Sequence, residues 1–285
     1  ILAQAFFPCP RPPLAMFCSC NNGKSRDVED LVTDDGQGHL REEREEFVFP
    51  NGMKYTGQWI GDEPDGDGLQ VWPDGGRYKG DLRGGRAEGR GTFEYANGGV
   101  YTGPWVNDHA HGEGIYAMND GSLYKGQWVD GKQHGSCTLK LSDGSLFTGQ
   151  YKSGVKCGPG TFVFQGQRTG CSYTGEFKDD TFWGYGTYEW SDGRKYEGQW
   201  RGNRMHGFGK FMFADGRTYV GQYEEDEKSG RGIYEWPDGR RYDGQFMHGK
   251  QHGKGSFTDA SGETYPGEWK AGKRKIELVP GTRCF

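Results

Sequence analysis

The stretch Tyr196-Glu-Gly198-Gln-Trp200, followed by Gly207-Phe-Gly209 and then Asp215-Gly216, holds one complete structural unit. Tyr196, Gly198 and Trp200 alternate, so in an extended strand all three face the same side. The glycine between the rings leaves that side open, and neighbouring rings can lie over the backbone. Glu197 and Gln199 take the opposite, polar side, the period-2 signature of a half-exposed strand. Gly-x-Gly then opens a second strand, and Asp-Gly closes it with a tight turn.

Working outward, the same unit recurs along the chain. Its aromatic opening position, i, is Tyr55, Tyr78, Tyr101, Tyr124, Phe147, Tyr173, Tyr196, Tyr219, Tyr242 and Tyr265. The spacing is 23 residues throughout, except 26 between Phe147 and Tyr173. Glycine stands at i+2 in all ten copies, and a large apolar residue such as Trp59, Leu82, Trp105 or Trp128 at i+4. Position i+7 is always Gly, Asp or Asn, residues that tolerate positive φ and form side-chain turns. Aromatics usually follow at i+15 and i+17, as in Tyr188 and Trp190 or Phe211 and Phe213. Each unit therefore reads as two antiparallel strands and two turns. No unit can bury its rings alone, and the fold is quasi-one-dimensional.

The composition agrees. Only 32% of residues are hydrophobic but 15% are aromatic, and 52 are glycine. Large flat side chains beside a backbone that turns often suit many short strands. The net charge of −5, with both signs mixed, argues against nucleic acid as a partner. Seven cysteines give an odd count without disulfide-framework spacing, which points to a reducing, intracellular setting. No run of about 18 apolar residues exists, so no membrane-spanning helix is expected.

The Tyr-x-Gly-x-Trp, Gly-x-Gly-x-aromatic, Asp-Gly pattern resembles the MORN (membrane occupation and recognition nexus) repeat, from about Phe47 to Lys275. The resemblance implies an all-β fold: an elongated, single-layer, twisted antiparallel sheet of tandem hairpins with a ring-lined groove. It also implies a scaffold at the cytoskeleton, in a cilium or at a membrane junction, or an accessory array on a lipid kinase or SET-domain methyltransferase. The expected organisation is a tail over residues 1–46, an array over 47–275 and a short tail over 276–285. Within the array we expect a partial leading unit, nine full units and a truncated tenth. The run Asp27 to Glu46 is acidic and reads as a solvated tail or short helix.

Two departures from the pattern stand out. The fourth unit has Cys137, Leu139 and Leu141 where glycine and aromatics usually stand. The fifth closes through Gln165 to Ser172, whose three extra residues preserve strand phase only if they loop out.

The expected function is a non-catalytic scaffold that receives a helix or extended peptide of a protein partner along the rings. Tyr101, Trp105, Tyr124, Trp128, Tyr196 and Trp200 are its candidate groove residues, with intramolecular core as the competing role for each. A peripheral tether on anionic lipid is the alternative. Lys270, Lys273, Arg274 and Lys275 are the candidate lipid contacts, though lysine at a sheet edge also blocks edge-to-edge pairing. Cys18 and Cys20 are candidate acylation sites. Edge strands at the two ends leave a homodimer open. His111, His134, His206 and His252 precede the second-strand glycine, where lining a turn is the simpler role than binding metal. Asn22-Gly23-Lys24-Ser25 lacks the earlier glycine of a phosphate loop. No nucleophile–base pair or general-acid pair appears in the repeats, so neither catalysis nor a cofactor is expected.

Overall fold

Most repeats place two glycines opposite each other on adjacent strands, and this pairing organises the computed structural model; in the fourth repeat Gly126 faces Cys137. The structure describes residues 33–34 and 40–275. Cys18, Cys20 and the expected C-terminal tail lie outside the described residues. The chain divides into two compact bodies, one ending at Val155 and the other beginning at Lys156.

In the first body, consecutive strands from Leu40–Val48 to Leu146–Lys152 pair antiparallel in chain order. In the second, the same order runs from Val155–Val163 to Lys273–Arg274. Each body is one layer of hairpins, the architecture that the repeat predicts. Glycines meet along the second body from Ser172–Lys178 to Thr264–Lys270: Gly175 faces Gly186, Gly186 faces Gly198, Gly198 faces Gly209, and Gly209 faces Gly221. The row continues through Gly232, Gly244 and Gly255 to Gly267.

The row exists because a tyrosine ring lies on it. Tyr196 is fully buried and its hydroxyl donates to the carbonyl of Gln199 at 2.9 Å. A Cβ on Gly209 would stand 2.4 Å from that hydroxyl oxygen and 2.6 Å from the ring carbons. The same bond, from the tyrosine at i to the carbonyl at i+3, recurs in Tyr55, Tyr78, Tyr101, Tyr124, Tyr173, Tyr219 and Tyr242, at 2.7–3.1 Å.

The first glycine of Gly-x-Gly has a different task. Gly207 has φ +59 and sits at a bulge, where the register shifts between Gly198 and Trp200. Left-handed backbone at a bulge favours glycine. The bulge frees the next N–H, from Phe208, which donates to Gln199 Oε1 at 2.8 Å. Gln58 and Gln222 serve Asp67 and Arg231 in the same way.

Adjacent repeats are also clamped at position i+7. The Asp226 N–H donates to the Met205 carbonyl at 3.0 Å, and Asp226 Oδ1 accepts from the Met205 N–H at 2.7 Å. Asp108 clamps Ala87, Asp180 clamps Lys156 and Asn203 clamps Phe182 with the same pair of bonds. Where the residue is glycine, as at Gly131, Gly154 and Gly249, the backbone bond remains and the side-chain bond is lost.

The acidic run differs from expectation. Leu40–Val48 is a strand, so residues 40–46 form neither a solvated tail nor a short helix. The first full hairpin leaves an open edge at Lys54–Ile60, and the acidic stretch satisfies its backbone groups by pairing with it. Arg41 bonds Asp65 of that hairpin at 2.8 Å, and Arg44 lies 4.9 Å from the Trp59 ring. Charge along an edge strand is a device against further pairing. The fifth-unit insertion does loop out: Gly166–Arg168 forms a short 3-10 turn, and Val163 pairs with Ser172 in phase.

These seats make a specific stability prediction. Gly209→Ala should cost about 1–3 kcal/mol, from overpacking against the seated Tyr196 ring. Gly193→Ala, at a turn with φ +88 and nothing within 4 Å of the added Cβ, should cost about 1–2 kcal/mol of backbone strain. Denaturant melts with near-ultraviolet circular dichroism will compare them. An alanine at 209 that leaves the aromatic signal and the midpoint unchanged would refute the seat.

Candidate functional site

Six rings were expected to line a partner groove, and the structure places all six in the core. Tyr101, Tyr124 and Tyr196 have no exposure, Trp105 and Trp128 have 1% and Trp200 has 6%. Each tyrosine meets the tryptophan of its own repeat edge-on, at 5.1, 5.2 and 5.1 Å respectively. The i+4 ring of the next repeat closes the other side: Trp128 on Tyr101 at 5.1 Å, Tyr151 on Tyr124 at 5.6 Å, Tyr223 on Tyr196 at 5.2 Å. Trp105 and Trp200 also donate their indole N–H to the carbonyls of Gly91 and Gly186. These residues are the intramolecular contacts of the array. Alternation alone identifies the ring face. It does not distinguish a ring clasped between two neighbours from one at the surface.

The ring face is open farther along the second strand, at i+17. In the second body Trp190, Phe213 and Trp236 occupy that position and are half-buried, with Tyr234 and Phe257 beside them. Ring contacts run without interruption from Tyr188 through Trp190, Phe211, Phe213, Tyr234 and Trp236 to Phe257, at 4.5–6.2 Å. Each closing turn then folds an arginine over its ring. Arg194 lies 5.2 Å from Trp190, Arg217 5.0 Å from Phe213 and Arg240 5.4 Å from Trp236. The aspartate of the same turn receives the arginine Nε–H at 2.7–2.8 Å in all three. Those aspartates are held below the usual carboxylate range, chiefly by the arginine hydrogen bond. The first body lacks this feature. Its i+21 residues are Gly76, Gly99, Ser122 and Ser145, and its i+17 residues include Met118 and Leu141. The difference is legible in the sequence as Asp-Gly-Arg in three successive repeats. Asp-Gly alone signals only the turn, and the arginine that follows it marks the ring it covers.

The insertion adds to this surface. A cavity of about 180 Å³ is bounded by Arg168, Phe182, Tyr188, Trp190, Trp200 and Met205. Arg168, on the 3-10 turn, lies 4.3 Å from the Phe164 ring. Burial, then Cys171, pushes the Tyr188 hydroxyl up to about 12, against the opposing pull of Arg168. On the opposite face Tyr185 and Phe208, the middle residues of two Gly-x-Gly triplets, are 64% and 58% exposed.

The C-terminal basic cluster forms the last hairpin. Lys273–Arg274 pairs with Thr264–Lys270, Arg274 donates to the Pro266 carbonyl at 2.9 Å, and Lys275 pairs with Glu268. Lys270 and Lys273 stay exposed. At the other end Thr33–Asp34 pairs with Arg41 and Leu40. His111, His134, His206 and His252 are partly buried beside the bulges. Among the described residues no three His, Cys, Asp or Glu gather as metal ligands. Nor is any helix there long and apolar enough to cross a membrane.

A family model described as the MORN repeat matches nine tandem segments: residues 55–77, 78–100, 101–123, 124–146, 147–167, 173–193, 196–216, 219–240 and 242–264. A search of curated proteins found no match. Similar solved structures include the TCP10 domain of Danio rerio CPAP in complex with a peptide of STIL. It is 13% identical, with 79% of this chain and 98% of that chain covered and a TM-score of 0.40. The TCP domain of Drosophila melanogaster SAS-4, solved with a proline-rich motif of Ana2, is 12% identical over 56% and 85% of the chains, with a TM-score of 0.35. Staphylococcus aureus virginiamycin B lyase is 12% identical over 85% and 73%, with a TM-score of 0.14. These structural likenesses carry no weight for function.

Buried phenols give the site a pH limit. Burial raises the hydroxyls of Tyr55, Tyr78, Tyr101, Tyr196 and Tyr242 above their ordinary value of 10.0, Tyr242 to about 12. A raised folded-state value means that the fold favours the neutral phenol. This stabilisation is complete below pH 10 and is lost as pH rises through the folded-state values. We expect the strands to melt on alkaline titration above pH 10, together with most phenolate absorbance. Full tyrosine ionisation near pH 10 with the strand signal intact would contradict it.

Proposed function

Because the chain belongs to the MORN repeat family, a non-catalytic repeat motif, we propose that it is a scaffold holding a protein partner along the half-exposed rings at i+17. The observation that carries this reading is the ladder Trp190, Phe213, Tyr234, Trp236 and Phe257, whose members keep a solvent-facing edge while the rings at i and i+4 are sealed. Apolar rings with a polar, mixed-charge rim are the composition of an interface centre. The partner is a helix or extended peptide within an intracellular cytoskeletal or ciliary assembly. An array serving a larger lipid kinase or methyltransferase would use the same face.

A second reading, a peripheral tether on anionic lipid, rests on Lys270 and Lys273, which are exposed and take no part in an ion pair or side-chain hydrogen bond among the described residues. Arg274 and Lys275 are engaged in finishing the sheet edge. Two lysines supply only about 2 kcal/mol near an anionic surface, which makes a weak anchor.

Photo-crosslinking separates the faces. With a benzophenone amino acid at position 213 or 236, the chain expressed in its native cells should crosslink to a discrete protein. At positions 185 and 208 it should not. Crosslinks from 185 and 208 alone would move the interface to the opposite face, and crosslinks to lipid from position 270 alone would favour the tether.

A further inference from the structure

One lysine on the ring face lacks the partner that its counterpart in another repeat possesses. Lys156 and Lys228 both stand at i+9. Lys156 pairs with Asp180, the i+7 residue of the following repeat, at 3.4 Å. For Lys228 the equivalent residue is Gly249, which keeps the backbone bond to the Lys228 carbonyl at 3.0 Å but offers no carboxylate. The Lys228 ammonium instead lies 5.2 Å from the Phe213 ring and 5.4 Å from the rings of Tyr219 and Tyr234. No acid among the described residues pairs with it. Burial, and then the charge of Arg217, hold it below the usual lysine range. A cation in a ring cage is partly compensated by the ring quadrupoles. A carboxylate would compensate it fully.

The surroundings define what could deliver that carboxylate. Trp190 with Arg194, Phe213 with Arg217 and Trp236 with Arg240 recur once per repeat. One repeat is two strands, about 9.6 Å across the sheet. A polyproline II helix advances about 9.3 Å in three residues and presents the same face at each third residue. An ordinary β-strand covers a similar distance in three residues, but alternation turns every third side chain to the opposite face. Aspartates occupy the Nε–H of Arg194 and Arg240, and the terminal N–H groups of these two arginines have no partner among the described residues.

We propose that the ring ladder of the second body binds a proline-rich, acidic segment of a partner protein in the polyproline II conformation, with one of its carboxylates seated on Lys228. This deepens the scaffold reading and rests on it. Prolines stack on the half-exposed rings, and acidic residues three apart meet Lys228 and the arginine forks.

The test uses the full chain and fluorescent peptides of repeated Glu-Pro-Pro, Lys-Pro-Pro or Glu-Gly-Gly triplets, read by anisotropy. Glu-Pro-Pro should bind at least about tenfold more tightly than the other two. Lys228→Met should weaken it by about tenfold. Gly249→Asp should do the same while raising the melting temperature, since it supplies the missing carboxylate internally. Its φ of +72 matches the +64 that Asp180 already adopts. Phe208→Ala, on the other face, should bind unchanged. A folded Gly249→Asp chain that binds Glu-Pro-Pro as tightly as the parent overturns the proposal. So does equal binding of Lys-Pro-Pro, or Lys228-dependent binding to phosphatidylserine vesicles with none to the peptide. Crosslinks from positions 213 and 236 to a partner, combined with no preference among peptides, would remove this ligand chemistry and leave the scaffold standing.

Discussion

Everything in each body depends on a tyrosine ring lying flat across two facing glycines with its hydroxyl tied to the carbonyl at i+3. The geometry leaves no space for a Cβ at Gly209, Gly186 or Gly232, where ring atoms lie 2.4–2.7 Å from the position it would take. Each seated ring is then held edge-on by the large residues of its own and the next repeat. Edge-to-face contacts of this kind contribute about 0.5–1.5 kcal/mol beyond burial. The interaction is local in sequence but complete only between repeats, so hairpins that are individually too small to fold stabilise one another.

The fold was legible because the seat needs particular residues at fixed spacing. Tyrosine at i, glycine at i+2 and glycine at i+13 can be read without coordinates. The site was less legible. Tyr101, Trp105, Tyr124, Trp128, Tyr196 and Trp200 resemble surface rings in a period-2 pattern, since nothing in that pattern reports the closing neighbour 23 residues away. The acidic strand Leu40–Val48 was hidden because its composition suits solvent, whereas its role is to satisfy the backbone edge of Lys54–Ile60. Gln199 looked like ordinary strand polarity. Its amide oxygen in fact satisfies the N–H freed at the bulge.

Positions outside the seat vary, and that variation separates the two bodies. At i+21 the first body carries small residues beneath the turn, while three repeats of the second carry arginine folded on a ring. At i+9 the first body carries Pro64, Ala87, Ala110 and Gln133, and the second carries Lys156, Phe182, Met205, Lys228 and Gln251. A repeat thus keeps its core chemistry constant and places recognition in a few positions that the core does not constrain. Cys137 shows the tolerance at its limit: it replaces a seat glycine, and Tyr124 still bonds the Gln127 carbonyl at 3.0 Å.

The clamps at i+7 give each body a graded mechanical strength. Beside the strand ladder, Asp108, Asn203 and Asp226 add a backbone and a side-chain hydrogen bond to their seams, and Gly154 and Gly249 have no side chain to add the second. Under tension across the strands, hairpins part seam by seam, and the seams without the side-chain bond yield first. The Gly249 seam would act as a fuse, releasing the terminal hairpins while the repeats around Asn203 and Asp226 hold.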